Sequence, residues 1–168
     1  MIYFLTEKRI KDLTPVLGNV DAKLIMPLIP STADQFIKPR TGTHYFNHLL
    51  SVYNTQTATP TEVEIINIIQ NSLMWRIASE VALTSSAQIT NKGLQEQDGL
   101  NSSQAGISKI GMMTGHYNKK ADFYDARLID FLWKNKESLL EFKSKLNIDC
   151  DVDLYPSKAT PYNDVLFL

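Results

Sequence analysis

The sequence lacks several features that mark particular classes of protein. Cys150 is the only cysteine, which excludes an intrachain disulfide and favours synthesis in a reducing compartment such as the cytosol. No apolar run approaches the roughly 20 residues that span a bilayer, so we expect no membrane segment. The opening MIYFLTEKRIKD has no basic stretch followed by an apolar core, and we therefore expect no export signal.

An excess of charge of one sign is also absent. The 168 residues carry a formal net charge of −1, with a pI near 6.3, which disfavours bulk binding to nucleic acid but leaves a local basic patch open. Hydrophobic residues make up 43% of the chain, which is enough for a core. We expect one domain, or one domain with an extension.

A helical pattern interrupted by prolines is present near the N-terminus. Residues 19–42 read NVDAKLIMPLIPSTADQFIKPRTG, with apolar residues at helical spacing. A proline inside a helix costs about 3 kcal/mol, but one in the first turn of a restarted helix costs little. We therefore expect short helices, with Asp21 as an N-cap and a break at Pro30 followed by a new cap at Ser31 or Thr32.

Two longer helical patterns follow in the chain. Thr59, Pro60 and Glu62 form a strong helix start, because they combine a cap, a proline at the first helical position and an acidic first turn. The apolar residues after them cover most of the helix circumference, which predicts a central helix.

The second long pattern is a clean amphipathic helix over 107–131. Its predicted apolar face includes Ala121, Tyr124 and Leu128. The polar segment Gln88–Gly106 separates the two long helices and is interpreted as a long loop or a weak hairpin.

The C-terminal residues have the spacing of a strand. Apolar residues alternate there with Asp149, Asp151 and Asp153, and the apolar string DVLFL follows, which favours docking on this domain or on another chain. The helical patterns described above dominate the chain, so the predicted fold class is all-α. We expect a bundle of two long and several short helices in a domain of residues 1–146, with a long polar mid-chain loop or hairpin, and an extended C-terminal arm of residues 147–168.

Residues that could support catalysis or bind a cofactor do not converge in the sequence. His44 and His48 lie four residues apart, as two metal ligands on a helix face would, but two ligands specify no site. The aspartates between 149 and 153 depart from a calcium loop at its glycine and glutamate positions. We therefore expect no enzyme activity, no metal and no cofactor.

The second long helix carries positive charge beside aromatic residues. Lys119, Lys120 and Arg127 lie among Tyr117 and Phe123. A solvated helix face explains this pattern, and so does a face that lines a DNA channel. Both interpretations stay open at this point.

Several motifs, taken in order, resemble a known family. NVDAKLIMPLI and ADQFIKPRTGT, then ITNKG in the mid-chain loop and ADFYDARLIDFL in the second long helix, resemble ring proteins of the head–tail connector of tailed bacteriophages, in particular those of crAss-like phages. The resemblance covers residues 4–146. The sequence departs from the family pattern at Pro30, at Arg40 and after Leu146.

The resemblance implies a structural virion protein at the head–tail junction. Such a subunit forms a homo-oligomeric ring, commonly of about twelve copies, contacts the portal protein and other connector or tail proteins, and helps to retain packaged DNA. Lys119, Lys120 and Arg127 would then be candidates for contact with that DNA. The alternative is a stand-alone helical adaptor or DNA-binding regulator. The residues expected to make protein contacts are Asn19, Asp21, Pro27, Pro39, Gly42, Asn91, Lys92, Gly93, Val165, Leu166, Phe167 and Leu168.

Overall fold

The fold is all-α, as the sequence predicts. The computed structural model describes residues 3–16, 20–90, 93–96, 107–139 and 142, and the predicted arm, residues 147–168, lies outside them. The helices are α1 (Glu7–Leu13), α2 (Ala22–Ile25), α3 (Leu28–Thr32), a π-helical turn (Ala33–Ile37), α4 (Lys38–Thr41), α5 (Thr43–Thr55), α6 (Pro60–Ser86) and α7 (Ile107–Lys134).

A short antiparallel hairpin follows α6. Its strands are β1 (Ala87–Thr90) and β2 (Gly93–Glu96), and Ala87 pairs with Glu96 at the open end. The hairpin accounts for the first part of the polar mid-chain segment, so the hairpin interpretation is confirmed for these two strands.

Local capping signals set the helix starts. Thr6 Oγ1 accepts a hydrogen bond from Arg9 N at 3.3 Å before α1. Before α6, Thr59 N donates to Glu62 Oε2 at 2.8 Å, and Glu62 N donates to Thr59 Oγ1 at 3.3 Å. These reciprocal bonds form a capping box, which satisfies two backbone donors that the helix itself leaves open.

The proline-rich segment stays helical for longer than the sequence predicts. Pro27 has φ −68° and ψ −26°, so α3 follows α2 without an extended break. The predicted break at Pro30 is wrong, because Pro30 lies inside α3, where a missing N–H in the first turn costs little. Neither Ser31 nor Thr32 recaps the helix; Ser31 Oγ donates instead to the Pro27 carbonyl oxygen at 3.0 Å.

Gly42 separates α4 from α5. Its φ of 75° and ψ of 153° define a backbone conformation that is essentially restricted to glycine. The same residue ends α4 and precedes the first residue of α5. The glycine of the KPRTG motif is therefore required by the backbone at this junction.

Helix α6 is the central helix, as its all-round apolar pattern predicts. It contacts α1, α2, α3, α5 and α7, and its packing against α7 is the most extensive. Full burial of each Leu or Ile side chain contributes about 1.5–3 kcal/mol. No helix in the described ranges has the length and apolarity that a membrane span requires. The fully buried aliphatic residues of α6 are Ile65, Ile69, Leu73 and Ile77.

Candidate functional site

Asp125 of α7 is the centre of a buried polar cluster that joins α4, α6 and α7. The side chain is fully buried, and its Oδ2 lies 2.9 Å from Arg40 Nη2 and 2.7 Å from Arg76 Nη2. Ser72 Oγ donates to the other carboxylate oxygen at 2.5 Å. Arg76 also pairs with Asp122. Two arginines and two aspartates thus balance their charges where α4 meets the long helices.

Burial shapes the electrostatics of this cluster. Desolvation lowers the pKa of Arg40, and the nearby Arg76 lowers it further, while Asp125 acts in the opposite direction. An arginine side chain stays charged even when burial lowers its pKa, because its ordinary pKa lies above 12. Removal of one partner from a buried ion pair costs about 3–5 kcal/mol, because the remaining charge is left uncompensated. The cluster therefore holds α4 in one position on α6 and α7.

The outer surface of α7 carries a row of exposed side chains. They recur every three or four residues and therefore lie on one helix face. Met112 is 75% exposed and Phe123 64% exposed, which is unusual for large apolar side chains on a core-packed helix. The row combines basic and apolar residues, and we call it the outer stripe: Lys109, Met112, His116, Lys119 and Phe123.

A shallow cavity of about 420 Å³ adjoins the outer stripe. Trp75 of α6 is half-buried at its base, and Lys120 Nζ lies 3.8 Å from the centroid of the Trp75 ring. This cation–π contact keeps a positive charge at the edge of an aromatic hollow. The cavity is suited to an apolar side chain or ligand that has a negatively charged group next to it, because that group would meet the Lys120 ammonium. Its lining residues are Trp75, His116, Lys119, Lys120, Phe123 and Tyr124.

A second apolar surface lies near the N-terminus. Met26, between α2 and α3, is 55% exposed and borders another cavity of about 420 Å³. We call this surface the N-terminal patch. It consists of Met26 with half-buried Tyr3 and Pro30, above the buried side chains of Leu5 and Ile29.

Comparison with known sequences places most of this chain in one family. Residues 28–152 match a family of unknown function, DUF6712. The chain belongs to the DUF6712 family. No curated protein and no solved structure matches the chain. The DUF6712 region begins at α3 and includes both the Asp125 cluster and the outer stripe, whereas α1 and α2 precede it.

The predicted contact residues near the start of the DUF6712 region lie at helix junctions. Asp21 caps α2, because its Oδ1 accepts from Lys23 N at 2.9 Å. Pro27 precedes α3, Pro39 lies in the first turn of α4, and Gly42 lies between α4 and α5. These four positions shape the backbone of the short-helix segment.

The other predicted contact residues divide between the hairpin and the undescribed ranges. Gly93 is the first residue of β2 and pairs with Thr90. Asn19, Asn91, Lys92, Val165, Leu166, Phe167 and Leu168 lie outside the described residues.

The three candidate DNA-channel residues have different surroundings. Lys119 is exposed on the outer stripe, while Lys120 lies over the Trp75 ring. Arg127 is also exposed, and its Nη2 lies 3.8 Å from Glu64 Oε1. Lys119 and Arg127 are thus the two exposed cations of the three, and Lys120 is half-buried.

A second polar group joins α5 to the start of α6. His48 Nε2 lies 2.5 Å from Glu62 Oε1, and the His48 ring stacks on Tyr45 with centroids 5.8 Å apart. Burial raises the pKa of Glu62, but hydrogen bonds from Thr59 and His48 outweigh it, so the net pKa is lowered. Burial and the Glu62 charge raise the pKa of Tyr45. The described residues contain no group of three or more His, Cys, Asp or Glu side chains that could hold a metal ion.

Sequence reasoning did not identify the Asp125 cluster. One signal was present in the DUF6712 region: Arg76 interrupts the apolar run SLMWRIAS. A charge inside a helix that is apolar all round needs a buried partner. The sequence alone does not specify which of the many carboxylates supplies it.

Proposed function

We propose that this protein is a structural virion subunit that assembles as a ring at the head–tail junction, contacts the portal protein and joins the portal to the tail. The observation that carries this proposal is the presence of two different surfaces with exposed apolar side chains, Met112 and Phe123 on the outer stripe and Met26 on the N-terminal patch. A ring made of identical subunits needs a head-to-tail interface, in which one surface of a copy meets a different surface of the next.

The rigidity of the subunit supports the same proposal. A head-to-tail arrangement closes into a ring only when the angle between the two surfaces is constant. The outer stripe lies on α7, and the N-terminal patch adjoins α2 and α3; all three helices pack against α6. The Asp125 cluster fixes α4 on α6 and α7. Prolines in the short-helix segment reduce the entropy that this segment loses on folding.

Retention of packaged DNA is the less supported part of the proposal. Lys119 and Arg127 could line a channel, but Glu64 Oε1 lies 3.8 Å from Arg127 Nη2, and Asp130 is exposed one turn further along α7. Both carboxylates would repel phosphate. Met112 and Phe123 are better suited to protein contacts, because interface centres favour aromatic residues and Met. We therefore place protein binding ahead of DNA contact for the outer stripe.

The decisive experiment measures native mass for the purified protein, alone and after mixing with the portal protein encoded by the same genome. A closed ring in either sample, with a copy number near twelve, is the expected result. A monomer that does not bind the portal would contradict the proposal. A DNA affinity that falls steeply with salt would then favour the DNA-binding regulator, and its absence would favour the stand-alone adaptor.

A further inference from the structure

We propose that the outer stripe of α7 binds the acidic C-terminal segment, residues 147–168, of a neighbouring copy. This inference rests on the proposed ring, because the ring brings a second copy close. The inference adds to the proposed ring because it identifies the two surfaces of one contact between subunits: the outer stripe of one copy and residues 147–168 of the next.

Charge complementarity is the first argument. The C-terminal segment contains four aspartates and one lysine, so it is acidic in a chain that is otherwise nearly balanced. The outer stripe presents Lys109 and Lys119, and the neighbouring carboxylate of Asp122 is paired with Arg76. Oppositely charged surfaces steer the encounter of two chains and fix their register.

The apolar pattern of the two partners also agrees. Between Ile148 and Leu154 the segment alternates apolar and acidic residues, so an extended chain carries them on opposite sides. The outer stripe combines apolar with basic residues. Same-side residues of an extended chain are about 6.6 Å apart, and successive members of the stripe rise by about 4.5–6 Å. The apolar side of the segment can therefore pack on Met112 and Phe123, and the long side chains of Lys109 and Lys119 can reach past it to the aspartates on the other side.

The cavity beside the stripe provides an anchor point. Large side chains that fill a pocket dominate the energy of most interfaces, and the segment offers Leu154, Tyr155 and Phe167 for this role. Lys120, held over Trp75, places a positive charge at the edge of the same pocket.

The length of the connecting chain permits the contact. Phe142 is fully buried, and its ring lies 5.9 Å from that of Trp133 near the end of α7. The seven residues from Phe142 to Asp149 span up to about 25 Å, and Phe123 is about 15 Å along the helix axis from Trp133. Phe142 thus keeps the chain beside α7, so the segment that follows can reach a neighbouring α7 when two copies pack together.

The single cysteine of the chain allows a direct test. Met112→Cys in the full-length protein places one thiol on the stripe, and native Cys150 supplies the other from the segment. Under mild oxidation of the concentrated protein, alone and with the portal protein, we expect a ladder of disulfide-linked oligomers on a non-reducing gel. Leu13→Cys is the matched control, because Leu13 is 54% exposed on α1 and outside the stripe.

Three results would overturn the inference. If the protein loses its free thiols but keeps the mass of a monomer, the disulfide has formed within one chain, which would show that the segment binds its own copy. Cross-linking no greater than in the control would show that the segment is not at the stripe. An unchanged rate after adding Lys119→Glu to the Met112→Cys variant would remove the electrostatic argument; we expect a decrease of about fivefold, and little change with the exposed Lys8→Glu.

Native mass of the same samples separates this inference from the proposed function. A ring that forms without cross-linking to Cys150 refutes the segment contact and leaves the ring proposal intact. Absence of a ring, with and without the portal, refutes the proposed function itself.

Discussion

Arg40 and Asp125 lie far apart in the sequence, yet Arg40 Nη2 is 2.9 Å from Asp125 Oδ2 in the protein interior. The contact joins the four-residue helix α4 to α7, the longest helix among the described residues. Such a short helix has almost no stability of its own. Its position therefore depends on tertiary contacts, and this ion pair is one of them.

We predict that Asp125→Asn destabilises the protein by about 3–5 kcal/mol, because Arg40 and Arg76 would stay buried without their shared carboxylate. Urea unfolding measures the change. Asp130→Asn is the control, since Asp130 is exposed on the same helix and surface substitutions usually stay within about 0.5 kcal/mol. Equal stabilities for the two variants would show that the cluster contributes nothing.

The lowered pKa of Glu62 predicts a loss of stability in acid. A carboxyl group with a depressed folded-state pKa stabilises the protein above its ordinary pKa, here 4.5, and this contribution is lost as the pH falls through the lowered value. Glu62→Gln should therefore cost about 1 kcal/mol at pH 7 and less at pH 3. Urea unfolding at both pH values tests this. The exposed Glu64→Gln should show no such trend, and a penalty for Glu62→Gln that is independent of pH would contradict the assignment.

Two glycine substitutions should change stability in opposite directions. Gly42→Ala forces a side chain into a backbone conformation that costs about 1–3 kcal/mol. Gly115→Ala lies on α7 with no atom within 4 Å of an added Cβ, and it should stabilise the helix by about 0.5–1 kcal/mol. Thermal unfolding of both variants is the measurement. A Gly42→Ala protein as stable as the wild type would remove the conformational argument.

The outer stripe should matter for assembly and not for folding. The double variant Met112→Ser, Phe123→Ser removes two exposed apolar groups, so its free energy of unfolding should change by no more than about 0.5 kcal/mol per site. Ring formation or portal binding, measured by native mass, should weaken on the order of 100-fold, because central apolar groups of an interface each contribute more than about 1 kcal/mol. Leu13→Ser is the control, and equal binding by both proteins would exclude the stripe from the interface.

The features predicted correctly from sequence are those set by neighbouring residues. Thr59, Pro60 and Glu62 act on one another within a single turn, so the start of α6 followed from their order alone. The central position of α6 followed from its apolar circumference. Pro30 shows the limit of local reasoning: its ring is accepted in the first turn of α3, and packing on α6 keeps the segment helical where the pattern suggested a break.

Asp125 was missed for a different reason. Apolar periodicity selected Tyr124 for the inner face of α7, but Tyr124 is only half-buried and the neighbouring Asp125 is fully buried. A pattern of hydrophobic residues cannot assign a carboxylate to the interior. That assignment needs Arg40 and Arg76, which the fold brings to it from two other helices.

The π-helical turn before α4 controls the angular phase of the residues that follow it. Each residue of an α-helix advances the side-chain direction by about 100°, and a π-turn accommodates one residue more than an α-turn of the same height. Shortening Ala33–Ile37 by a single residue would therefore rotate Lys38–Thr41 by about a quarter turn or more about the helix axis. Arg40 would then point away from Asp125. The extra residue of the π-helical turn therefore sets the direction that brings the Arg40 guanidinium to the Asp125 carboxylate.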